Sequence, residues 1–184
     1  QVDSRWFIAT GDFSSLATTA FHQVQRFLDV IAATTLLVLT SPLLVLAAIS
    51  ILLTEGWPIL YRQTRLGRFG RAFTVYKLRT MRRGAEADGP QFSNDKDERV
   101  LAVGRLLRRW RIDELPQLFN VLRGQMSLVG PRPERPELAA QLEKEIPFYA
   151  FRYSVRPGLT GWAQVHFPYS AEPEEHLVKL EFDL

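Results

Sequence analysis

The pattern of apolar and polar positions changes character near residue 56. From Ile31 to Leu53 the chain is apolar except for Thr34, Thr35, Thr40, Ser41 and Ser50, and no charge lies between Asp29 and Glu55. As a straight helix this run would extend roughly 35 Å at ~1.5 Å per residue, enough to cross a hydrocarbon core of about 30 Å. Phe21–Val30 leads into it as an amphipathic helix, and Glu55-Gly56-Trp57-Pro58 ends it, because glycine and proline together stop a helix. Pro42, at the midpoint, predicts a kink, and Ser41 can satisfy part of the backbone that the proline frees. Arg26 precedes the run and Arg62 and Arg65 follow it, so the positive-inside rule gives no orientation. On these residues a spanning helix, a re-entrant helix and a buried helix of a soluble protein all remain open. A signal peptide does not fit, since a structured-looking segment precedes the run and no small-residue cleavage site follows.

Shorter periods follow. Ile59–Gln63 and Ala72–Leu78 read as two strands of an antiparallel hairpin with a basic tip, Arg65-Leu-Gly-Arg-Phe-Gly-Arg71. Gly84–Asp95 is a polar loop. A helix is expected from about Asp97, with Val100, Val103, Leu106, Leu107 and Trp110 on its apolar stripe. A second carries Leu115, Leu118, Phe119 and Leu122, holds Pro116 in its first turn and ends at Gly124. Pro133–Ile146 is a polar amphipathic helix, Arg156–Val165 a turn followed by a short strand, and a last helix starts near Glu174. The fold class predicted is α+β: an N-terminal membrane helix, amphipathic surface helices and a small antiparallel sheet.

The chain of 184 residues suits one domain. Its net charge is only +3, but the basic residues are uneven: Arg62, Arg65, Arg68, Arg71, Lys77, Arg79, Arg82 and Arg83 follow one another with no acid between them. Such a block seeks phosphates, and the sequence pI is 9.4. No aromatic-basic platform or known motif points to nucleic acid. The absence of cysteine excludes disulfides and thiolate chemistry. His22, His166 and His176 lack metal-ligand spacing, and the glycines form neither a Walker loop nor a dinucleotide fingerprint. A start at Gln1 and an end within a helix suggest a piece of a longer protein.

The densest candidate chemistry lies in residues 108–133, where Asp113 and Glu114 are adjacent between arginine-bearing segments. Local grammar alone makes Asp113 a helix N-cap and Glu114 a partner of the helix dipole. The same geometry suits phosphate chemistry: backbone N–H groups at a helix N-terminus bind phosphate, one carboxylate attacks phosphorus and the other holds a hard cation. Arg132, fixed between Pro131 and Pro133, is presented stiffly. Lys77, at the end of the second strand, is a candidate phosphate contact.

Six blocks together resemble the bacterial sugar transferase family, the monotopic phosphoglycosyl transferases. They are Phe-Leu-Asp-Val (27–30), Ser41-Pro42, Tyr-Lys-Leu-Arg-Thr-Met (76–81), Ile-Asp-Glu-Leu-Pro-Gln-Leu-Phe-Asn-Val-Leu (112–122), Met-Ser-Leu-Val-Gly-Pro-Arg-Pro (126–133) and Val-Arg-Pro-Gly-Leu-Thr-Gly-Trp-Ala-Gln-Val (155–165). The resemblance covers about Phe27 to the C-terminus. It implies transfer of a sugar-1-phosphate from a nucleoside diphosphate sugar, usually a UDP-sugar, to polyprenyl (undecaprenyl) phosphate with release of UMP, the first membrane step of exopolysaccharide or other glycoconjugate assembly. It further implies an aspartyl-phosphosugar on Asp113, Mg²⁺ held by Glu114, and basic contacts at Lys77, Arg108 and Arg132, with Arg132 clamping phosphate and Arg108 holding the carboxylate or diphosphate. The membrane helix is then re-entrant and broken at Ser41-Pro42, and the enzyme sits in the bacterial inner membrane with its catalytic part on the cytoplasmic face. The expected division is residues 1–20 as the tail of a larger N-terminal region, 21–56 as the re-entrant helix and 57–184 as the catalytic domain. Gln125 stands where many relatives carry an acid, so no second carboxylate ligand is expected there. The oligomeric state stays open, a homodimer included. Two rival readings are a catalytically silent anchor that binds anionic lipid and a phosphatidyl-type transferase, whose spaced aspartates are absent.

Overall fold

A computed structural model of the chain describes the backbone of residues 15–85, 97–166 and 173–183, and the side chains of 21–85, 97–166 and 177–183. The expected polar loop and the first part of the N-terminal segment lie largely outside these residues. One 41-residue helix, α1 (Ser15–Glu55), opens the fold and is followed by β1 (Leu60–Leu66) and β2 (Ala72–Leu78). Then come α2 (Ala102–Arg109), a 3-10 segment (Ile112–Gln117), α3 (Leu118–Leu122), β3 (Ser127–Val129) and α4 (Pro136–Glu145). A 3-10 segment (Tyr149–Ser154), β4 (Gly158–Thr160), α5 (Trp162–His166) and α6 (Pro173–Asp183) complete it. The class is α+β, as the sequence predicts.

Helix α1 passes through Pro42 as one element. A proline cannot donate to the carbonyl four residues back, here that of Val38, and the Ser41 hydroxyl donates to that same carbonyl at 2.8 Å. Thr34, Thr40, Ser50 and Thr54 likewise bond carbonyls in the preceding turn. The hydroxyls of these five residues are therefore satisfied within the helix, which suits an apolar surrounding. Phe21–Glu55 is long and apolar enough to cross a membrane, and most of its apolar side chains are exposed.

The buried stripe of α1 docks on the rest of the chain on both sides of Pro42. Ala33 and Leu37 pack with Val75, Leu118, Val121 and Met126. Leu44, Ala47 and Ile51 pack with Leu78, Leu107 and Ile112. The spacing follows the helical period, so one face touches protein and the rest is bare. Polar anchors flank the first contact. Asp29, buried, accepts from the Ser127 hydroxyl at 2.8 Å and from the Leu128 N–H at 3.0 Å. Arg26 donates to the last carbonyls of α3, those of Val121 and Leu122, where a helix end is electronegative. At the other end, Arg79 donates to the Gly56 carbonyl at 2.8 Å.

The hairpin is antiparallel in the register Leu60↔Leu78 to Leu66↔Ala72; the second strand matches the expected one, and the first begins one residue later and runs on into the expected tip. The second sheet departs from expectation: β3 and β4 pair in parallel. The strand in Arg156–Val165 occupies Gly158–Thr160, and the residues expected to be extended form α5 instead. The reason is contact: a Cβ on Gly158 would lie 2.1 Å from the Gly130 nitrogen, so two backbones meet where side chains would prevent it. The helix expected from Asp97 starts later, at Ala102, and the Pro133 helix starts at Pro136. Gly104 lets α2 lie against the segment that follows β2, since a Cβ there would lie 2.2 Å from the Thr80 carbonyl oxygen.

Candidate active site

Asp113 and Glu114 sit in the first turn of the 3-10 segment, both buried. Asp113 is not an N-cap. Arg111 holds that position with φ +55°, and Asp113 lies two residues inside. The left-handed turn at Arg111 tips the pair inward against β2, where Lys77 and the packed face of the hairpin meet it.

Glu114 is enclosed by cations. The Lys77 ammonium donates to its Oε1 at 2.7 Å, and Arg132 Nη2 donates to the same oxygen at 3.1 Å. Arg111 lies 3.8 Å from Oε2. Burial on its own raises a carboxyl pKa, but Lys77 and Arg132 outweigh it and hold Glu114 at about 2. Asp113 has the opposite environment. Burial and then the Glu114 charge raise its pKa above the ordinary value, against the pull of Lys77 and Arg108. Its Oδ1 is buried with no hydrogen-bond partner. Two adjacent carboxylates thus differ in kind: one is a fixed anion, the other an unpartnered oxygen in a low-dielectric site.

The chain brings together Lys77, Asp113, Glu114 and Arg132. Arg108 is close enough to bias Asp113, and its Nε donates to the Thr80 hydroxyl at 2.8 Å. Ser41 and Pro42 lie apart, on the exposed middle of α1. Gln125 accepts from Asn120 at 2.8 Å, and Asn120 ties α3 to the Thr74 carbonyl of β2 at 2.7 Å.

The Pro-Arg-Pro loop is held from behind by residues that sequence reasoning did not single out. Arg65 donates to the Pro133 carbonyl at 3.0 Å, and the Leu66 N–H to that of Glu134 at 2.9 Å. Arg152, nearly fully buried, donates to the Arg132 carbonyl at 3.3 Å, to Glu134 at 3.5 Å, to Asp183 at 2.7 Å and to the Tyr149 hydroxyl. Gln164 accepts from Arg132 Nη1 at 3.1 Å. The only sequence signal for these was their place beside recognisable blocks; nothing in a lone arginine before Tyr153 announces a contact with residue 183.

Among the described residues, no group of three or more His, Asp or Glu side chains could hold a metal ion. Magnesium does not need one, since it is commonly bound by one or two carboxylates, substrate phosphate and water. Asp113 Oδ1, unpartnered, and Glu114 Oε2, met only at 3.8 Å, are the oxygens with capacity left. The residues present therefore fit a hard divalent cation shared with a phosphate ligand.

Known sequences similar to this chain carry related names. An Aeromonas hydrophila protein named UDP-N-acetylgalactosamine-undecaprenyl-phosphate N-acetylgalactosaminephosphotransferase is 44% identical over 170 residues, which cover 92% of this chain and 40% of that protein. A Caulobacter vibrioides UDP-glucose:undecaprenyl-phosphate glucose-1-phosphate transferase is 53% identical over 143 residues, 77% of this chain and 53% of the relative. A Bacillus subtilis putative undecaprenyl-phosphate N-acetylgalactosaminyl 1-phosphate transferase is 42% identical over 135 residues, 73% of this chain and 75% of the relative. The chain thus spans about half or less of the first two. The family description "Bacterial sugar transferase" matches residues 20–184, and the chain belongs to that family.

Proposed function

We propose that the chain transfers a sugar-1-phosphate from a UDP-sugar to a polyprenyl phosphate, through a covalent phosphosugar on Asp113. The observation that carries this reading is the buried, unpartnered Asp113 Oδ1 beside a Glu114 neutralised by Lys77 and Arg132. The relatives support the substrate class. Their names differ in the sugar and share undecaprenyl phosphate, and the first two also share a UDP donor.

In the first step a carboxylate oxygen of Asp113 forms a bond to the sugar-bearing phosphorus, and the bond from that phosphorus to the bridging oxygen breaks. UMP leaves with the electron pair. In the second step an oxygen of the polyprenyl phosphate attacks the same phosphorus, the bond to Asp113 breaks, and the carboxylate is regenerated. A carboxylate is a weak nucleophile, so its environment matters. Burial strips Asp113 of water and raises its basicity, and Arg132 with Lys77 offers positive charge where the phosphoryl oxygens would gather. Glu114, with Asp113 beside it, would hold magnesium, which would supply further electrophilic activation of the phosphate.

Helix α1 supports a membrane placement. Both ends of its apolar run are anchored to the same body of protein, Asp29 to β3 and Ile51 to Leu78 and Leu107. That favours a helix that enters and leaves on one face, with Ser41-Pro42 as its weakest point, over one that carries its ends to opposite sides. The catalytic part would then lie at headgroup level on the cytoplasmic face of the bacterial inner membrane, where a polyprenyl phosphate presents its charged end.

The test is UMP release from a panel of UDP-sugars with Mg²⁺ and undecaprenyl phosphate in nanodiscs, comparing wild type with Asp113→Asn. Release that requires Asp113 supports the reading and names the sugar. Release unchanged in Asp113→Asn would overturn it.

A further inference from the structure

A second cationic site lies away from Asp113. An open groove of about 420 Å³ is lined by His22, Gln23 and Arg26 of α1, Arg68 of the hairpin tip and Arg156 ahead of β4. Among the described residues no carboxylate lines it, and none of Lys77, Asp113, Glu114 or Arg132 does. His22 lacks metal-ligand spacing in the sequence, and Arg68 belongs to the basic block of residues 62–83.

We infer that this groove binds the phosphate of an anionic phospholipid headgroup. Its height is the first argument. Residues 22–26 lie on the helix immediately before the uncharged run, so they sit where an apolar helix meets the headgroup layer. The second is donor supply. The guanidinium of Arg156 has no hydrogen bond or ion pair among the described residues, and Arg68 spends only Nε, on the Ser154 carbonyl at 3.1 Å. Arg26 is committed to the end of α3 and contributes fixed charge rather than free donors. Two planar guanidinium forks facing an acid-free groove match the geometry of a phosphodiester.

The third argument is exposed apolar side chains on the two elements that carry the groove. Phe21, Val24 and Phe27 are exposed on α1, and Phe69 is exposed at the hairpin tip. Phe69 takes φ +58°, a left-handed conformation in which a bulky residue is uncommon, and Arg68 lies over its ring at 4.6 Å. An aromatic residue held outward in a strained tip beside an arginine suits insertion between lipids, the ring among acyl chains and the guanidinium at the phosphates. The helix and the hairpin tip would then grip the membrane surface from two sides of one headgroup.

The inference does not depend on the transfer reaction, and its test reads lipid rather than UMP. The chain is reconstituted in nanodiscs of equimolar phosphatidylcholine and phosphatidylglycerol and re-extracted in mild detergent, and the retained lipids are quantified by mass spectrometry. Wild type is expected to be enriched in phosphatidylglycerol, and the enrichment to fall about fivefold for each arginine removed in Arg68→Gln and Arg156→Gln. Arg68→Lys with Arg156→Lys should keep most of it, and Arg109→Gln, an exposed arginine on α2, should keep all of it. Equal losses in Arg109→Gln would overturn the site in favour of bulk charge. Failure of the lysine pair to restore enrichment, with UMP release also lost, would assign the arginines to folding. Displacement of the retained phosphatidylglycerol by stoichiometric polyprenyl phosphate would overturn the phospholipid assignment in favour of the carrier lipid.

Discussion

Two buried charge clusters share the Pro131-Arg132-Pro133 loop and differ in how their carboxylates are used. In front of the loop, Glu114 takes up Lys77 and Arg132 while Asp113 Oδ1 stays without a partner. Behind it, Arg152 spends both terminal nitrogens on Glu134, Asp183, Tyr149 and the Arg132 backbone. The rear cluster leaves Arg152 Nε buried without a partner but pairs both of its carboxylates, and the front one leaves a carboxylate oxygen unused. Paired carboxylates fix position, because breaking such a cluster strands a buried charge. An open one pays for its unpartnered group in stability and keeps it for chemistry.

The sharpest way to break this contrast is Asp113→Asn. The amide is nearly isosteric, so UMP release should fall by about 10⁴-fold or more. Thermal stability at neutral pH should hold or rise slightly, because the raised pKa means the ionised carboxylate disfavours the fold there. A large loss of stability would place Asp113 in the structural class instead. Glu114→Gln comes next, with a loss of about 10²–10³-fold in turnover and a weakened dependence on divalent metal, read from Mg²⁺ titrations.

Arg152→Gln should act in the opposite order. Stability should drop by about 3–5 kcal/mol, since Glu134 and Asp183 lose their buried partner, and turnover should fall only about 10–100-fold as the Arg132 loop loosens. Denaturation and kinetics on the same preparations separate the two effects, and Arg152→Lys should recover part of each. If Arg152→Gln were stable yet inactive, the rear cluster would belong with the chemistry.

Acid titration distinguishes the carboxylates further. The folded pKa of Glu114, about 2, lies below its ordinary 4.5, so its contribution is complete above about 4.5 and is lost as pH falls toward 2. Asp113 runs the other way: its contribution is present below its ordinary value and is lost as pH rises through its raised folded pKa. Melting temperature against pH should therefore show an acid limb that flattens in Glu114→Gln and persists in Asp113→Asn. The smallest effect belongs to Asp183→Asn, which keeps a hydrogen bond to Arg152 and removes a charge. It should cost about 1 kcal/mol and leave turnover within a few-fold.

The front cluster was largely legible in the sequence, and the rear one was not. Asp113, Glu114, Lys77 and Arg132 lie in short dense blocks whose chemistry can be read locally. Arg152 and Asp183 are 31 positions apart and meet only through tertiary packing. The same division runs through the fold. The hairpin and the apolar helix have strong local periods and appear where their periods place them. The parallel β3–β4 pair does not, because it depends on Gly130 and Gly158 meeting across the chain. Local grammar also misplaced the cap: an arginine in a left-handed turn is not the residue that pattern rules select.

The covalent role of Asp113 is tested most directly by intact-protein mass spectrometry after mixing the chain with its UDP-sugar and Mg²⁺ in the absence of polyprenyl phosphate. The account predicts an added mass of one sugar-phosphate on wild type, mapped to Asp113, matched by released UMP, absent in Asp113→Asn and discharged when the acceptor is supplied. UMP release that requires the acceptor from the outset, with no adduct on the protein at any time, would contradict it.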